Sequence, residues 1–452
     1  MKADKITIRD IELFGIYEEG ELIEEKGIIN IFNKAITKEG RKFVTKYFSS
    51  PLPSLSEIEK EQNILKYFLE NLDYWNEFVK DMNFYEFDGA LKYLNSNLID
   101  LYSRNKLKFF YKASTIKIFY ENIFEEIESG IKNISTLIKK ANSLASHFNL
   151  KKNKALQNII NNLEKIISKK EINLLLNINE DTYINNFNLL KMDHNIRFVF
   201  KENLLEIIKI ISEIEGRIAL AKAFKEYNLT LPLFRDDVCL EVEDCFHPLL
   251  KKAIKNSINF KEEKNFLFLT GPNMAGKTTF LKTLGICAYF AHCGFGVPAK
   301  SMKLCFFDRL ITIINTEENI TKSQSYFMGE VKRVKEIVKN IVCGKKCLVL
   351  MDELFKGTNF QDAYETTLHV VKKMLEIKSS IFVFSTHIFE ISEELKKYKN
   401  IMFKCFDAIV ENNKIKYNYS LKDGISKEKL GMKILQNEGI LDLFNCRSED
   451  EA

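Results

Sequence analysis

Residues 266–290 read FLFLTGPNMAGKTTFLKTLGICAYF. An apolar run suited to a strand meets a short loop bounded by Gly271 and Gly276, and then a helix-like stretch. Few folds accept that order, because the loop must curl with its backbone N–H groups turned inward. Gly271-Pro-Asn-Met-Ala-Gly276-Lys277-Thr278 fits the phosphate-binding P-loop pattern in full. Small residues let the N–H groups close around phosphate, and the helix N-terminus adds partial positive charge. The candidate nucleotide contacts are therefore Gly271, Pro272, Asn273, Met274, Ala275, Gly276, Lys277, Thr278 and Thr279. Lys277 is expected to reach the β- and γ-phosphates of ATP, and Thr278 to ligate Mg²⁺.

The surrounding pattern supports that reading. From about Asp236 onward short β-rich runs appear: FLFL at 266–269, LITII at 310–314, CLVLM at 347–351 and IFVFS at 381–385. Helical stretches separate most of them, which predicts an α/β domain with a mainly parallel sheet. The run CLVLMDE ends in two acids. Asp352 is expected to hold Mg²⁺, and Glu353 to orient or deprotonate the attacking water. His387 follows the strand IFVFST and could hydrogen-bond a γ-phosphate; a lone histidine is otherwise more often structural. An acid pair with a strand-end histidine points to an ATPase of the ABC kind, whose sites are completed by a second subunit. SQSYFMGEVKRV, 323–334, offers Ser325 for that role, or as an ordinary helix N-cap, and both can hold at once.

The first half of the chain has other habits. Between Ser54 and Leu231 there is no proline, and the glycines are Gly89, Gly130 and Gly216. Long helices are expected there. Leu204, Ile207, Ile208, Ile211, Ile214, Ile218 and Ala221 fall on one helical stripe. All nine cysteines lie at or beyond Cys239, without paired metal-ligand spacing, which suits buried reduced thiols rather than zinc. The charged N-terminus MKADKITIRD is no signal peptide. The apolar runs fall far short of the roughly 20 residues a membrane helix needs. A soluble, cytoplasmic protein with no membrane association is expected.

GPNMAGKTT resembles the loop of the MutS family of DNA mismatch-repair ATPases, in which Pro-Asn-Met fills the middle. Other pieces follow in family order: His247-Pro248, Val297-Pro298-Ala299, Asp308-Arg309, Ser325 with Phe327-Met328, DELFKGTN at 352–359 and STHIFE at 385–390. LKDGISKEKLGMKILQNEGI, 421–440, is similar to the family's C-terminal dimerisation segment. In the first half, Thr37, Gly40, Arg41, Pro51 and Gln62 match the start of the family's helical core, and ISEIEGRIALAKAF, 211–224, resembles its last lever helix. Lys356 stands where the family usually has arginine, and Tyr326 where it often has threonine. The resemblance implies an all-α core and lever followed by a P-loop ABC-type ATPase domain. The boundaries are an N-terminal segment at 1–28, the helical core and lever at 29–235, and the ATPase domain with its dimerisation segment at 236–445. The family's mismatch-reading and connector domains precede the core, where this sequence has residues 1–28. Phe84-Tyr85-Glu86 looks like the family's Phe-x-Glu wedge, but it lies after the core's starting motif and is read as lever packing.

The implied function is ATP hydrolysis with Mg²⁺, driving a homodimer to open and close on duplex or branched DNA. Glu353, Lys277, His387 and Ser325 carry the chemistry in that reading, and Thr278 and Asp352 carry the metal. The alternative is a mechanochemical ATPase acting on a protein or ribonucleoprotein. A third reading is a regulatory subunit that only switches an assembly. Residues 101–170 hold fourteen Lys/Arg against five Asp/Glu. There Lys151, Lys152 and Lys154 either meet DNA phosphates or form a solvated lysine face. Replacing all three with glutamate is expected to weaken DNA binding and flatten its salt dependence. Unchanged binding would remove this patch from the reading.

Overall fold

The structure, a computed structural model, describes all residues except 19–20, 24–25, 81–83, 148–153, 180–181, 315–325, 412–413, 427–434, 436–439 and 441–452. The chain divides into two compact units. One gathers Met1–Ile31, Phe48–Glu61 and Phe224–Ala452, and the other holds Phe32–Tyr47 and Gln62–Ala223. Among the described residues no helix is long and apolar enough to cross a membrane.

The strands of the first unit are β1 (Lys2–Ala3), β2 (Ile16–Glu18), β3 (Glu21–Ile23), β4 (Leu233–Arg235), β5 (Cys239–Cys245), β6 (Asn256–Lys261), β7 (Phe266–Thr270), β8 (Ser301–Cys305), β9 (Arg309–Ile313), β10 (Cys347–Asp352), β11 (Ile381–Ser385), β12 (Ile401–Glu411) and β13 (Lys414–Asp423). Seven of them form one sheet in the order β1-β9-β10-β11-β7-β12-β13. It is parallel except for the β12–β13 pair. A smaller sheet runs β4-β8-β5-β6, and β2 pairs with β3. The four apolar runs expected as strands are β7, β9, β10 and β11. They read as unbroken apolar runs because both faces are covered. Phe266, Phe268, Val349, Met351, Phe382 and Phe384 share one core with Val334, Ile337 and Val371 from the helices Tyr326–Val342 and Phe360–Met374. Alternate residues such as Leu350 meet the helix Lys277–His292, where a Cβ on Gly285 would lie 3.2 Å from Leu350.

The N-terminal residues are built into this unit. β1 adds an edge strand, pairing Lys2 with Arg309. In the helix Lys5–Asp10, the buried Asp10 carboxylate accepts from Thr312 Oγ1 at 2.6 Å and from the Ile314 N–H at 3.1 Å. Arg333 donates to Asp4 and, through Nε, to the Thr312 carbonyl at 2.9 Å.

The second unit is helical among its described residues. The helix Glu121–His147 spans 27 residues and buries Ile127, Ile131, Ile134, Ile138, Ala141 and Ala145 at helical spacing. The helix Lys201–Glu226 buries the whole expected stripe from Leu204 to Ala221 and much of its other faces. Between the long helices the chain breaks without proline, at Asn105 and Asn185, whose side chains cap the next helix. The glycines mark close crossings: a Cβ on Gly130 would lie 2.3 Å from the Tyr93 ring, and one on Gly89 2.4 Å from Asn133. Phe84-Tyr85-Glu86 opens the helix Phe84–Leu94.

Glu215 binds the two ends of this unit's sequence together. Its carboxylate accepts from the Ile36 N–H at 2.6 Å, the Thr37 N–H at 2.8 Å and the Thr37 hydroxyl. A Cβ on Gly40 would lie 2.2 Å from the same carboxylate. Glu215→Ala leaves the buried Thr37 donors unsatisfied, at a cost of about 2–3 kcal/mol. A matching fall in the urea midpoint of helical signal is expected; a loss below about 0.5 kcal/mol would show that solvent replaces the carboxylate.

Candidate active site

In a parallel sheet the carboxyl ends of neighbouring strands open onto one crevice. β10, β11 and β7 are adjacent, with Asp352 opposite Ser385 and Ser385 opposite Leu269. The segments that follow Thr270, Asp352 and Ser385 therefore emerge together, and these are the three segments that carry the candidate residues.

The loop 271–276 curls through backbone that L side chains rarely adopt. Gly271 has φ 146° and Gly276 φ 105°. A Cβ on Gly271 would also lie 2.5 Å from the Phe406 carbonyl oxygen. Met274 turns at φ 66° with its side chain exposed, while Ala275 is buried. Gly276 caps the helix Lys277–His292 without a side-chain hydrogen bond, so its first N–H groups can serve an anion. Lys277 is buried, and its Nζ donates to the carbonyls of Gly271 at 2.7 Å and Pro272 at 3.2 Å. Burial pulls its pKa below the usual lysine range, while Glu353 and Asp352 oppose that shift.

Thr278 Oγ1 donates to Asp352 Oδ2 at 2.5 Å, and Ser385 donates to the other oxygen of the same carboxylate. Glu353, next along, sits at φ 51°, with its N–H held by the Ser385 carbonyl at 2.9 Å. Its carboxylate faces His387 Nδ1 at 3.5 Å and Lys356 Nζ at 2.9 Å. The hydrogen bond from His387 and the pairing with Lys356 hold its pKa down at about 2, against the effect of burial. His387 itself is exposed.

A cavity of about 440 Å³ opens beside Gly276 and Thr279, walled by Phe246, His247, Ile254, Phe280, Phe406 and Tyr419. His247 Nδ1 is buried there with no hydrogen-bond partner. Burial lowers the His247 pKa to about 4, so the ring is neutral at neutral pH. Aromatic and aliphatic walls with a few polar groups, among them Asn256, Thr279 and the open His247 nitrogen, suit a flat heterocycle. A larger groove of about 1000 Å³, lined by Glu241, Lys261, Lys303 and Lys404 among others, contains none of the candidate residues.

These groups fit a magnesium nucleotide. The curled N–H groups and Lys277 suit a polyanion, and the Thr278 and Asp352 oxygens suit a hard divalent cation. Among the described residues no three His, Cys, Asp or Glu converge as a metal cage. Mg²⁺ at a phosphate site needs only one or two protein ligands. Ser325, Lys151 and Lys152 lie outside the described residues, and Lys154 opens the helix Lys154–Ile167. Of the segment 421–440, the described residues are 421–426, Leu435 and Ile440. Sequence reasoning did not single out Ser385, Lys356 or Phe406 as site residues. A serine closing an apolar strand has no pattern of its own, and Phe406 meets Gly271 only through the fold.

The fold is a mixed α/β protein on a mostly parallel sheet, with the candidate site at the carboxyl edge of its central strands. Residues 267–442 match the family model described as MutS domain V. Two curated relatives are each described as "DNA mismatch repair protein MutS". The one from Thermotoga maritima is 29% identical over 246 residues, covering 54% of this chain and 30% of the relative. The one from Pseudothermotoga lettingae is 28% identical over 241 residues, covering 52% and 30%. The chain is similar to these MutS proteins over about half of its own length and aligns with under a third of theirs.

The lowered Glu353 pKa sets a pH dependence with a definite sign. The ion pair adds stability that is fully present above the ordinary glutamate value of about 4.3 and is lost as pH falls through about 2. In His387→Ala the acid-unfolding midpoint, followed by circular dichroism, is expected to move to higher pH. An unmoved midpoint would show that His387 does not hold the carboxylate.

Proposed function

We propose that this chain is a Mg²⁺-dependent ATPase of MutS type that works on DNA as a homodimer, in mismatch repair or a related repair or recombination process. The observation that carries the reading is the meeting of Thr278 with Asp352 at 2.5 Å, one residue from Lys277 and one from Glu353. The match to MutS domain V and the likeness to the two mismatch repair proteins support it.

In this reading the N–H groups of 271–276 and the Lys277 ammonium bind the phosphates, with Asn273, Met274 and Thr279 along the same curl. Thr278 and Asp352 hold Mg²⁺, which when bound neutralises charge on the β- and γ-phosphates. The base enters the cavity beside His247, where the neutral ring has a free nitrogen to offer. Glu353 orients the attacking water. The hydrogen bond from His387 and the pairing with Lys356 keep the Glu353 carboxylate ionised and aimed, which suits it to hold that water. His387 holds Glu353 on one side and can turn to the γ-phosphate on the other. Ser325 of a second subunit completes the site, and closure of the dimer changes how the helical units grip duplex or branched DNA. The same proposal places the protein in the cytoplasm.

Steady-state ATP turnover, with and without duplex, mismatched and branched DNA at two salt concentrations, tests the whole reading. Stimulation that fades with salt is expected. Turnover indifferent to every DNA would transfer the assignment to a protein or ribonucleoprotein partner. Glu353→Gln is expected to keep ATP binding and lose at least about 100-fold in turnover. Full turnover in that variant would overturn the role given to Glu353.

A further inference from the structure

The helix Lys106–Phe119 is fixed on one face and bare on the other. Asn105 caps its start, accepting from the N–H groups of Leu107 at 3.1 Å and Lys108 at 3.2 Å. Phe109, Ala113 and Ile116 are buried, and the Phe109 ring centroid lies 4.4 Å from that of Phe187 and 5.1 Å from that of Tyr102. The opposite face carries Leu107, Phe110, Tyr111 and Ile118, exposed at 82%, 67%, 64% and 75%. Their spacing places them on one stripe, three or four residues apart and then two turns further on. Single exposed apolar residues are ordinary; a contiguous outward stripe on an anchored helix marks an interaction surface.

Charge narrows the occupant. At about 100° per residue, Lys106 and Lys117 border one side of the stripe, and Lys108 and Lys112 border the other. The helix contains no acid. A second copy of this helix would bring the same positive rim and be repelled. An anionic bilayer favours a continuous apolar face, whereas Ser114 and the Tyr111 hydroxyl interrupt this one. Phe110 lies one turn from Lys106, and Tyr111 one turn from Lys108. Rings alternating with cations match single-stranded nucleic acid, whose bases stack while its phosphates meet lysines. The excess of basic residues across 101–170 has the same sign.

We propose that this face docks a single-stranded segment of DNA, with bases against Phe110 and Tyr111 and phosphates along Lys106, Lys108, Lys112 and Lys117. The proposal rests on the DNA-directed reading above and adds a contact to unpaired strands.

The test is fluorescence anisotropy of the full chain with labelled oligothymidylate, a blunt duplex and phosphatidylserine vesicles. Phe110→Ala with Tyr111→Ala is expected to weaken oligothymidylate binding roughly tenfold or more. Its circular dichroism and DNA-independent ATP turnover should stay unchanged, since both rings face solvent. Lys106→Glu with Lys108→Glu and Lys112→Glu should weaken binding and flatten its salt dependence. An aromatic variant that binds like the wild type would overturn the proposal. So would a wild type that takes up vesicles or duplex but not oligothymidylate, and binding to duplex alone would leave the DNA-directed reading standing. Binding to neither DNA would defeat both.

Discussion

The Asp352 carboxylate is the point on which the candidate site depends. It closes β10, accepts the Ser385 hydroxyl from β11, and accepts the Thr278 hydroxyl from the first turn of the helix that follows β7. One buried group thus fixes the relative positions of three segments that are far apart in sequence. Burying a carboxylate is costly unless donors replace its water. Here two hydroxyls, from Thr278 and Ser385, do so. Glu353 inherits its place from the same junction, because its N–H is held by the Ser385 carbonyl.

Buried carboxylates perform similar work elsewhere in each unit. Asp10 ties the N-terminal helix to Thr312 and Ile314 at the end of β9. Glu215 gathers the donors of Ile36 and Thr37. Asp193 meets Tyr93 and, through two parallel hydrogen bonds, Arg197. Removing one partner from such a group strands a charge or a donor, so these positions constrain the fold more than their size suggests. In the first unit they fix strand ends near the candidate site, and in the second they fix helix ends.

The four central strands were legible in advance because a parallel strand covered on both faces must be apolar at every position, whereas the outer strands β1, β12 and β13 have no such run. The loop was legible because Gly271 and Gly276 enclose four residues directly ahead of Lys277 and Thr278, a pattern short enough to lie within one stretch of sequence. Asp352, Glu353 and His387 were legible as polar residues that end apolar strands. Ser385 and Phe406 were not, because their part depends on neighbours across the sheet, whereas Lys356 pairs locally with Glu353 three residues before it. The N-terminal residues were also opaque: a two-residue strand has no pattern, and Asp4 meets Arg333 from the far end of the chain.

The sequence indicated four central strands, a long-helical first half and the glycine loop, since apolar runs, helix breakers and glycine spacing are local properties. Tertiary structure alone decided the strand order, and with it the meeting of Thr278, Asp352 and Ser385. It alone decided which apolar stripe is covered. The helix Lys106–Phe119 carries apolar residues on two faces, yet Phe109, Ala113 and Ile116 are buried while Leu107, Phe110, Tyr111 and Ile118 face solvent. Periodicity states that a helix has an apolar face, and only packing states what lies against it.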